Sequence, residues 1–225
     1  EHPVAHHLHL IELEEAFATT QALPWGLQVK AGQYLTGFGR INQQHPHQWD
    51  WLDVPVINSR LFGADGLRNP GTQVGWLMPV SWFSQLIVGA QNASGETAYS
   101  FLGSPGEGDG LAGRPLVDDN VGSLADLLYL TRWENGLAFG DTWSGIVGAS
   151  ALFGPNGTGP GARTTIYGGD LVLKWRPVDN FRGWPFVTFQ TEAMQRTYDA
   201  AAVPADGGNP ALPAVTLHDW GLYSQ

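Results

Sequence analysis

The sequence predicts an all-β protein, an antiparallel up-and-down transmembrane β-barrel of about nine strands. Three observations point there. Segments of about ten residues alternate apolar and polar side chains, the connections between them are by turns short and long, and Trp residues gather at the short ones. Composition agrees: Gly (30) and Trp (10) are abundant, Met (2) is scarce, and charged residues make up 14%, against about 25% in soluble domains. Something other than charge must therefore cover the surface. No apolar run approaches the roughly 20 residues of a transmembrane helix. A net charge of -10 with only 11 Lys and Arg leaves no basic stripe to neutralise phosphates, which argues against nucleic acid as a partner. With 0 Cys, neither disulfides nor thiolate metal sites hold the chain together.

Residues 8–20 alternate, with Ile11, Leu13 and Phe17 opposite Glu12 and Glu14, although Glu15 breaks the phase and leaves a helical alternative for ELEEAFA. QALP turns into a second strand, 25–36, in which Leu27, Val29 and Ala31 oppose Gln28, Lys30 and Gly32. The stretch 40–71 is a long loop rich in His, Asn, Asp and Trp, and 72–78 returns with Val74, Trp76 and Met78 on one face. Pro79-Val80-Ser81 turns the chain into a strand at 82–92, after which a Gly-rich loop runs from 93 to 123. Residues 125–134 place Leu127, Tyr129 and Trp133 opposite Leu128, Leu130, Arg132 and Glu134. A turn around NGLAFG leads to 142–153, where Val147, Ala149 and Ala151 oppose Ser144, Gly148 and Ser150. After the loop GPNGTGPGA, 164–176 sets Tyr167, Leu171, Leu173 and Trp175 opposite Asp170 and Lys174. PVDNFRG turns into 184–197, with Thr188, Gln190, Glu192 and Arg196 on one face, and a Pro/Gly/Ala loop precedes a last strand at 215–223.

The connections after the first, third, fifth and seventh of these strands are short and most of the others are long. Both ends of a soluble sandwich face the same water and give no reason for alternation, whereas a membrane barrel has short turns on one side and long loops on the other. Trp25, Trp82, Trp133, Trp143, Trp175 and Trp184 all lie close to the short turns, as an aromatic girdle at the headgroup level requires. Tyr34, Phe153, Tyr167 and Tyr198 fall near the long loops and are the expected second girdle. The alternative is a soluble core in which Trp and Tyr merely serve as strand formers.

The polar faces collect Lys30, Arg132, Glu134, Asp170, Lys174, Glu192 and Arg196, expected to line a water-filled lumen. Asp170 and Lys174 are expected to pair with Glu192 and Arg196 on the next strand. A lumen holds such ladders cheaply, whereas a dry core imposes several kcal/mol of desolvation per ion. Mixed signs predict weak ion selectivity.

FGRINQQHPHQWD, followed by GTQVGWLMP, LTRWENGL, YGGDLVLKW and FQTEAMQR, resembles the barrel region of bacterial outer-membrane proteins described as zinc-regulated TonB-dependent receptors, and distantly that of phosphate-selective porins. The resemblance covers most of the chain. It implies a Gram-negative outer-membrane location, lipid as surroundings, uptake of a small solute or metal ion, and TonB as partner of the intact protein. Two features depart from it. Nothing before Leu8 reads as a plug or TonB-contacting segment, and Tyr223-Ser224-Gln225 lacks the terminal aromatic such barrels show; separately, a one-sided Arg and Lys ladder for phosphate is missing. The chain starts at Glu1 and ends at Gln225 inside a strand-like stretch, so the expectation is a single barrel region, 1–225, that is a fragment of a larger barrel. A soluble secreted β-sandwich or barrel acting as a binding module is the competing expectation.

His45, His47 and Asp50, in HPHQWD on the long loop, are candidate ligands for zinc, since two imidazoles and a carboxylate on irregular backbone can supply three donors. Asn42 and Asp53 would stand behind them or serve as alternative ligands. Equally, His, Asn and Asp can fold this loop onto its own backbone so that it plugs the lumen. His2, His6, His7 and His9 offer a second metal-catching segment or a solvated end, His218 stands alone, and Asp118-Asp119-Asn120 lacks the spacing of a calcium loop. No GxSxG, HExxH, P-loop or dinucleotide fingerprint occurs in a matching context, and nothing brings Glu12, Glu14 and Glu192 together. The expectation is a protein that is not an enzyme.

Overall fold

The computed structural model of the chain describes residues 13–49, 53–103, 113–116, 121–179, 181–205 and 210–225. They form one nine-stranded antiparallel sheet in which each strand pairs with its neighbours in sequence: β1 (Ala16–Thr19), β2 (Leu27–Leu35), β3 (Arg68–Leu77), β4 (Ser84–Asn92), β5 (Leu127–Phe139), β6 (Trp143–Pro155), β7 (Arg163–Trp175), β8 (Val187–Ala200) and β9 (Val215–Ser224). β1 and β9 are the two edges and do not pair with each other, so the described sheet is open rather than closed into a barrel. No described helix is long and apolar enough to cross a membrane.

Period-2 alternation gives this sheet two chemically opposite faces. One register row runs Leu27, Trp76, Leu86, Trp133 and Ala149 across β2 to β6. The adjacent row on the opposite face runs Gln28, Gly75, Ile87, Arg132, Ser150, Gly168, Met194 and Gly221. On the first face, called outer here, Val88, Trp133, Val147, Tyr167 and Phe189 are exposed. On the second, inner face, Leu130, Arg132, Leu152, Ile166, Asp170, Glu192 and Arg196 are buried.

Inner-face burial comes from the two longest connections, which fold back over the sheet. Residues 36–67 are pinned at their neck. The Thr36 amide donates to the Leu67 carbonyl (2.9 Å), while Asn42 Nδ2 donates to the Thr36 carbonyl (2.8 Å) and its Oδ1 accepts from the Leu67 amide (2.7 Å). Beyond the neck, Phe38 packs against Gly168 of β7 and edge-on to Phe62, with ring centroids 5.3 Å apart. The helix α1 (Val56–Phe62) starts after Pro55 and stops at Gly63, whose φ of 78 suits a residue without Cβ. Ile57 and Leu61, one turn apart, turn the same side of α1 into the core. Ile57 rests on Gly221 of β9. From the second connection, Ala98, Phe101 and Leu102 complete a cluster with Leu128, Leu130, Leu152, Ile166 and Met194. Burying each of these large side chains stabilises the arrangement by about 1.5–3 kcal/mol.

Several expectations change. The strand expected at 8–20 is described only as β1 (Ala16–Thr19), since Leu13, Glu14 and Glu15 are not in strand and residues 8–12 lie outside the described residues. β3 begins at Arg68 rather than at 72, because Arg68, Asn69 and Pro70 find partners in Leu35, Tyr34 and Gln33. NGLAF continues β5 and pairs with β6 instead of turning. β8 begins at Val187, two residues after Pro185, which has no amide to donate to a ladder. As a result the 176–186 connection is longer than 156–162, so the short-long alternation is not strict. The second girdle is halved: Phe153 and Tyr167 lie on the outer face, but Tyr34 and Tyr198 share the phase of Lys30 and Arg196 and are buried inside. Finally, the 40–71 loop does not stand away from the sheet: Ile57, Leu61, Phe62 and Leu67 are buried in the inner-face cluster, in line with the expected alternative of an in-folded loop.

Candidate functional site

The inner face carries its charges in a second register row of Gln85, Glu134, Gly148, Asp170, Glu192 and Tyr223. Three carboxylates thus line up across four strands, with Arg132 one row above. Its guanidinium crosses β6 to reach Asp170 (Nη1 to Oδ2 2.6 Å, Nη2 to Oδ1 3.0 Å). It also donates to Glu134 Oε2 (3.1 Å) and to Ser150 Oγ (2.8 Å). The crossing is possible because Gly148 has no side chain: a Cβ there would stand 2.5 Å from Asp170 Oδ2 and 2.7 Å from Arg132 Nη2. A two-pronged Arg–carboxylate pair with 2% and 1% side-chain exposure is held by geometry as well as charge.

Glu192 anchors the folded-back loop. Its Oε1 accepts from the Arg40 amide (3.2 Å), and Gly39 presses so close that a Cβ there would lie 1.6 Å from that oxygen. The Gly39 amide donates to Ser150 Oγ (3.2 Å), tying the same turn to β6. Nearer the long loops, Arg196 donates twice to Asp219 Oδ2 (2.9 and 2.6 Å) and once to Ser100 Oγ (2.9 Å). Arg60 of α1 takes the other oxygen of Asp219 (2.8 Å), so one carboxylate joins the helix to β8 and β9.

Below the loop, where the packed region gives way to the open half of the inner face, lies a cavity of about 370 Å³. The loop contributes Arg40, Gln43, Gln44 and Gln48. The sheet contributes Arg132, Glu134 and Asp170, with Ile146 and Val172 as apolar floor.

The residues expected to line a lumen do share one face, but not with the expected pairings. Asp170 stands opposite Glu192, a like charge, and is neutralised by Arg132 from two strands away. Lys174 is exposed toward the short-turn end with its ammonium 4.7 Å from the Phe186 ring. Lys30 sits over Phe17 (3.7 Å) and Tyr34 (4.7 Å). Ser150 falls on the face its alternation predicts, whereas Asp219, Gly39 and Arg40 are not among the residues the sequence marks for the site. The parity of β9 offered a signal for Asp219, since it falls in phase with Tyr223, but nothing local marked the loop residues.

His45 is held between two carboxylates, Nε2 to Glu15 Oε2 (2.9 Å) and Nδ1 to Glu14 Oε2 (3.3 Å), with His47 stacked on its ring at 5.6 Å. Asp50 lies outside the described residues, as do His2, His6, His7, His9 and Asp118 to Asn120. Among the described residues, no three His, Asp or Glu side chains cluster as a metal site. Asn42 is spent on the loop neck, and His218 Nδ1 lies 3.4 Å from Thr197 Oγ1 on the outer face.

The chain is 33% identical over 225 residues to an uncharacterized protein of Aquifex aeolicus (strain VF5), a match that covers 95% of this chain and 44% of that protein. The chain thus spans less than half the length of that relative. No protein-family profile and no solved structure matches it.

Proposed function

We infer that the chain forms part of the wall of an outer-membrane β-barrel that takes up or captures a small solute, with residues 36–67 as a loop folded into the barrel. The observation that carries this reading is the inverted polarity of the sheet. Trp76, Val88, Trp133, Trp143, Val147 and Phe189 are exposed on the outer face, while Arg132, Asp170, Glu192 and Arg196 are buried on the inner one. A water-soluble sheet of this size would present an apolar surface well beyond the few hundred Å² that monomers tolerate. A bilayer solvates that surface and leaves the charges to the interior. Trp25 and Trp82, beside short connections, and Trp184, in the 176–186 connection at the same end of the sheet, are strongly exposed and support the same reading as headgroup anchors.

Lipid also requires that the backbone of β1 and β9 be paired, so the reading needs further strands to close the sheet. The likeness of FGRINQQHPHQWD and its companions to TonB-dependent receptor barrels adds to it.

Cell fractionation of the full-length protein tests the reading. The expected result is recovery with the outer membrane, extraction only by detergent, and faster migration of the unheated than of the boiled protein on a gel. Recovery of intact protein in the periplasmic or extracellular fraction without detergent would overturn it in favour of a soluble binding module.

A further inference from the structure

We propose that the cavity beneath the folded-back loop is a binding site for a small zwitterion, a solute carrying one carboxylate and one ammonium group. The proposal rests on the barrel reading only for how the solute arrives. The site itself is defined by charges that face each other across the cavity without neutralising each other.

On the loop side stands Arg40. No carboxylate lies within ion-pair distance of its guanidinium among the described residues, and its Nε is buried with no hydrogen-bond partner. On the sheet side stand two carboxylates and one cation. Arg132 is fully engaged by both oxygens of Asp170 and by Oε2 of Glu134. The second oxygen of Glu134 has no partner among the described residues, so one negative charge remains in excess on that wall.

Each simpler solute leaves something unpaired. A lone anion meets Arg40 but is placed against a carboxylate-rich wall, and a lone cation meets Glu134 but is placed under Arg40. A neutral polyol satisfies hydrogen bonds and leaves both charges uncompensated. Only a solute with both signs pairs each wall, by charge-assisted hydrogen bonds that are stronger than neutral ones. Repulsion of the singly charged competitors then supplies the discrimination. The Gln44 amide, Gln43 Oε1 and Gln48 Nε2 add donors and acceptors without charge, Gln43 Nε2 being bonded to the Gly39 carbonyl and Gln48 Oε1 to the His45 amide, and a volume of about 370 Å³ falls at the lower end of small-molecule sites.

Calorimetric titration of the full-length protein in detergent micelles, at fixed ionic strength, tests this with glycine, acetate, ethylammonium and glycerol as probes. Glycine is expected to bind at least tenfold more tightly than the other three. Arg40→Gln and Glu134→Gln are each expected to weaken glycine by about tenfold and to remove its advantage, while Arg40→Lys retains most of it. Retained β-sheet circular dichroism shows that the variants fold, and either variant alone suffices if the other does not. Acetate, ethylammonium or glycerol binding as well as glycine, no glycine binding at all, or glycine binding unaffected by both substitutions would each overturn the proposal. Fractionation decides the barrel reading independently of these titrations, so a protein found in the outer membrane that ignores glycine leaves that reading standing and removes this one.

Discussion

Arg132 and Asp170 sit on strands that do not touch, β5 and β7, yet share two hydrogen bonds of 2.6 and 3.0 Å across the bare backbone of Gly148. Both side chains are almost wholly buried, so the pair stays bound because neither member has water to return to. Arg132→Met is expected to destabilise the folded protein by about 3–5 kcal/mol, since it strands the charges of Asp170 and Glu134. The double change Arg132→Met with Asp170→Leu is expected to cost distinctly less. Urea unfolding in detergent, followed by tryptophan fluorescence, checks both. A double variant as unstable as the single one would contradict the pairing.

Gly148→Ala is a milder probe of the same contact. The added methyl group would occupy the space through which the guanidinium reaches, 2.5 Å from Asp170 Oδ2. The expected outcome is a loss of about 1–3 kcal/mol, as for other overpacked sites. The adjacent Ala149, on the outer face of the same strand, serves as the control: Ala149→Val should change stability by less.

At Gly39 the backbone has φ of 57 and lies against Glu192, so Gly39→Ala meets both a left-handed backbone and a carboxylate oxygen. The consequence expected is release of the 36–67 loop from the inner face. Limited proteolysis should then cut within 43–49 at a rate at least tenfold above the wild type, while the sheet stays intact. An unchanged cleavage rate would mean that the turn is not what secures the loop.

On the outer face, Val147 lies mid-strand in β6 and is 39% exposed. On the barrel reading proposed above, Val147→Arg is expected to cost about 2–4 kcal/mol, the penalty for a charge on a lipid-facing strand. The same change on the surface of a soluble protein stays within about 0.5 kcal/mol. Folding yields of wild type and variant into lipid vesicles measure the difference. A neutral result would remove lipid from the outer face.

Much of the sheet was legible locally, and the reasons are physical. Side-chain parity is written into each strand, so Arg132, Asp170, Glu192 and Arg196 could be assigned to one face from alternation alone. Turn chemistry placed most turns but not every strand end: β3 starts earlier and β8 later than expected, and Gly136 of NGLAF reads as a break but pairs with Ile146 in the ladder. Where two rules conflicted, the ladder prevailed. Tyr34 and Tyr198 show the limit of composition-based reasoning: placed near the long loops, they were assigned to a girdle, but parity turned them inward against the core.

The sequence by itself determined the all-β class, the nine strands in their order, and which side chains share a face, because all three follow from period-2 alternation and local turn chemistry. Tertiary structure alone decided the rest. A loop of His, Asn and Trp residues became an in-folded element because Phe38 and Ile57 find sockets at Gly168 and Gly221, positions more than a hundred residues away in the chain. Asp170 took Arg132 rather than Arg196 because Gly148 opens a path across β6. Arg40 came to face Glu134 and Asp170 across a cavity because Glu192 holds its backbone there. Long-range contacts of this kind depend on register and on missing side chains, and no local pattern encodes which distant residue will fill the gap.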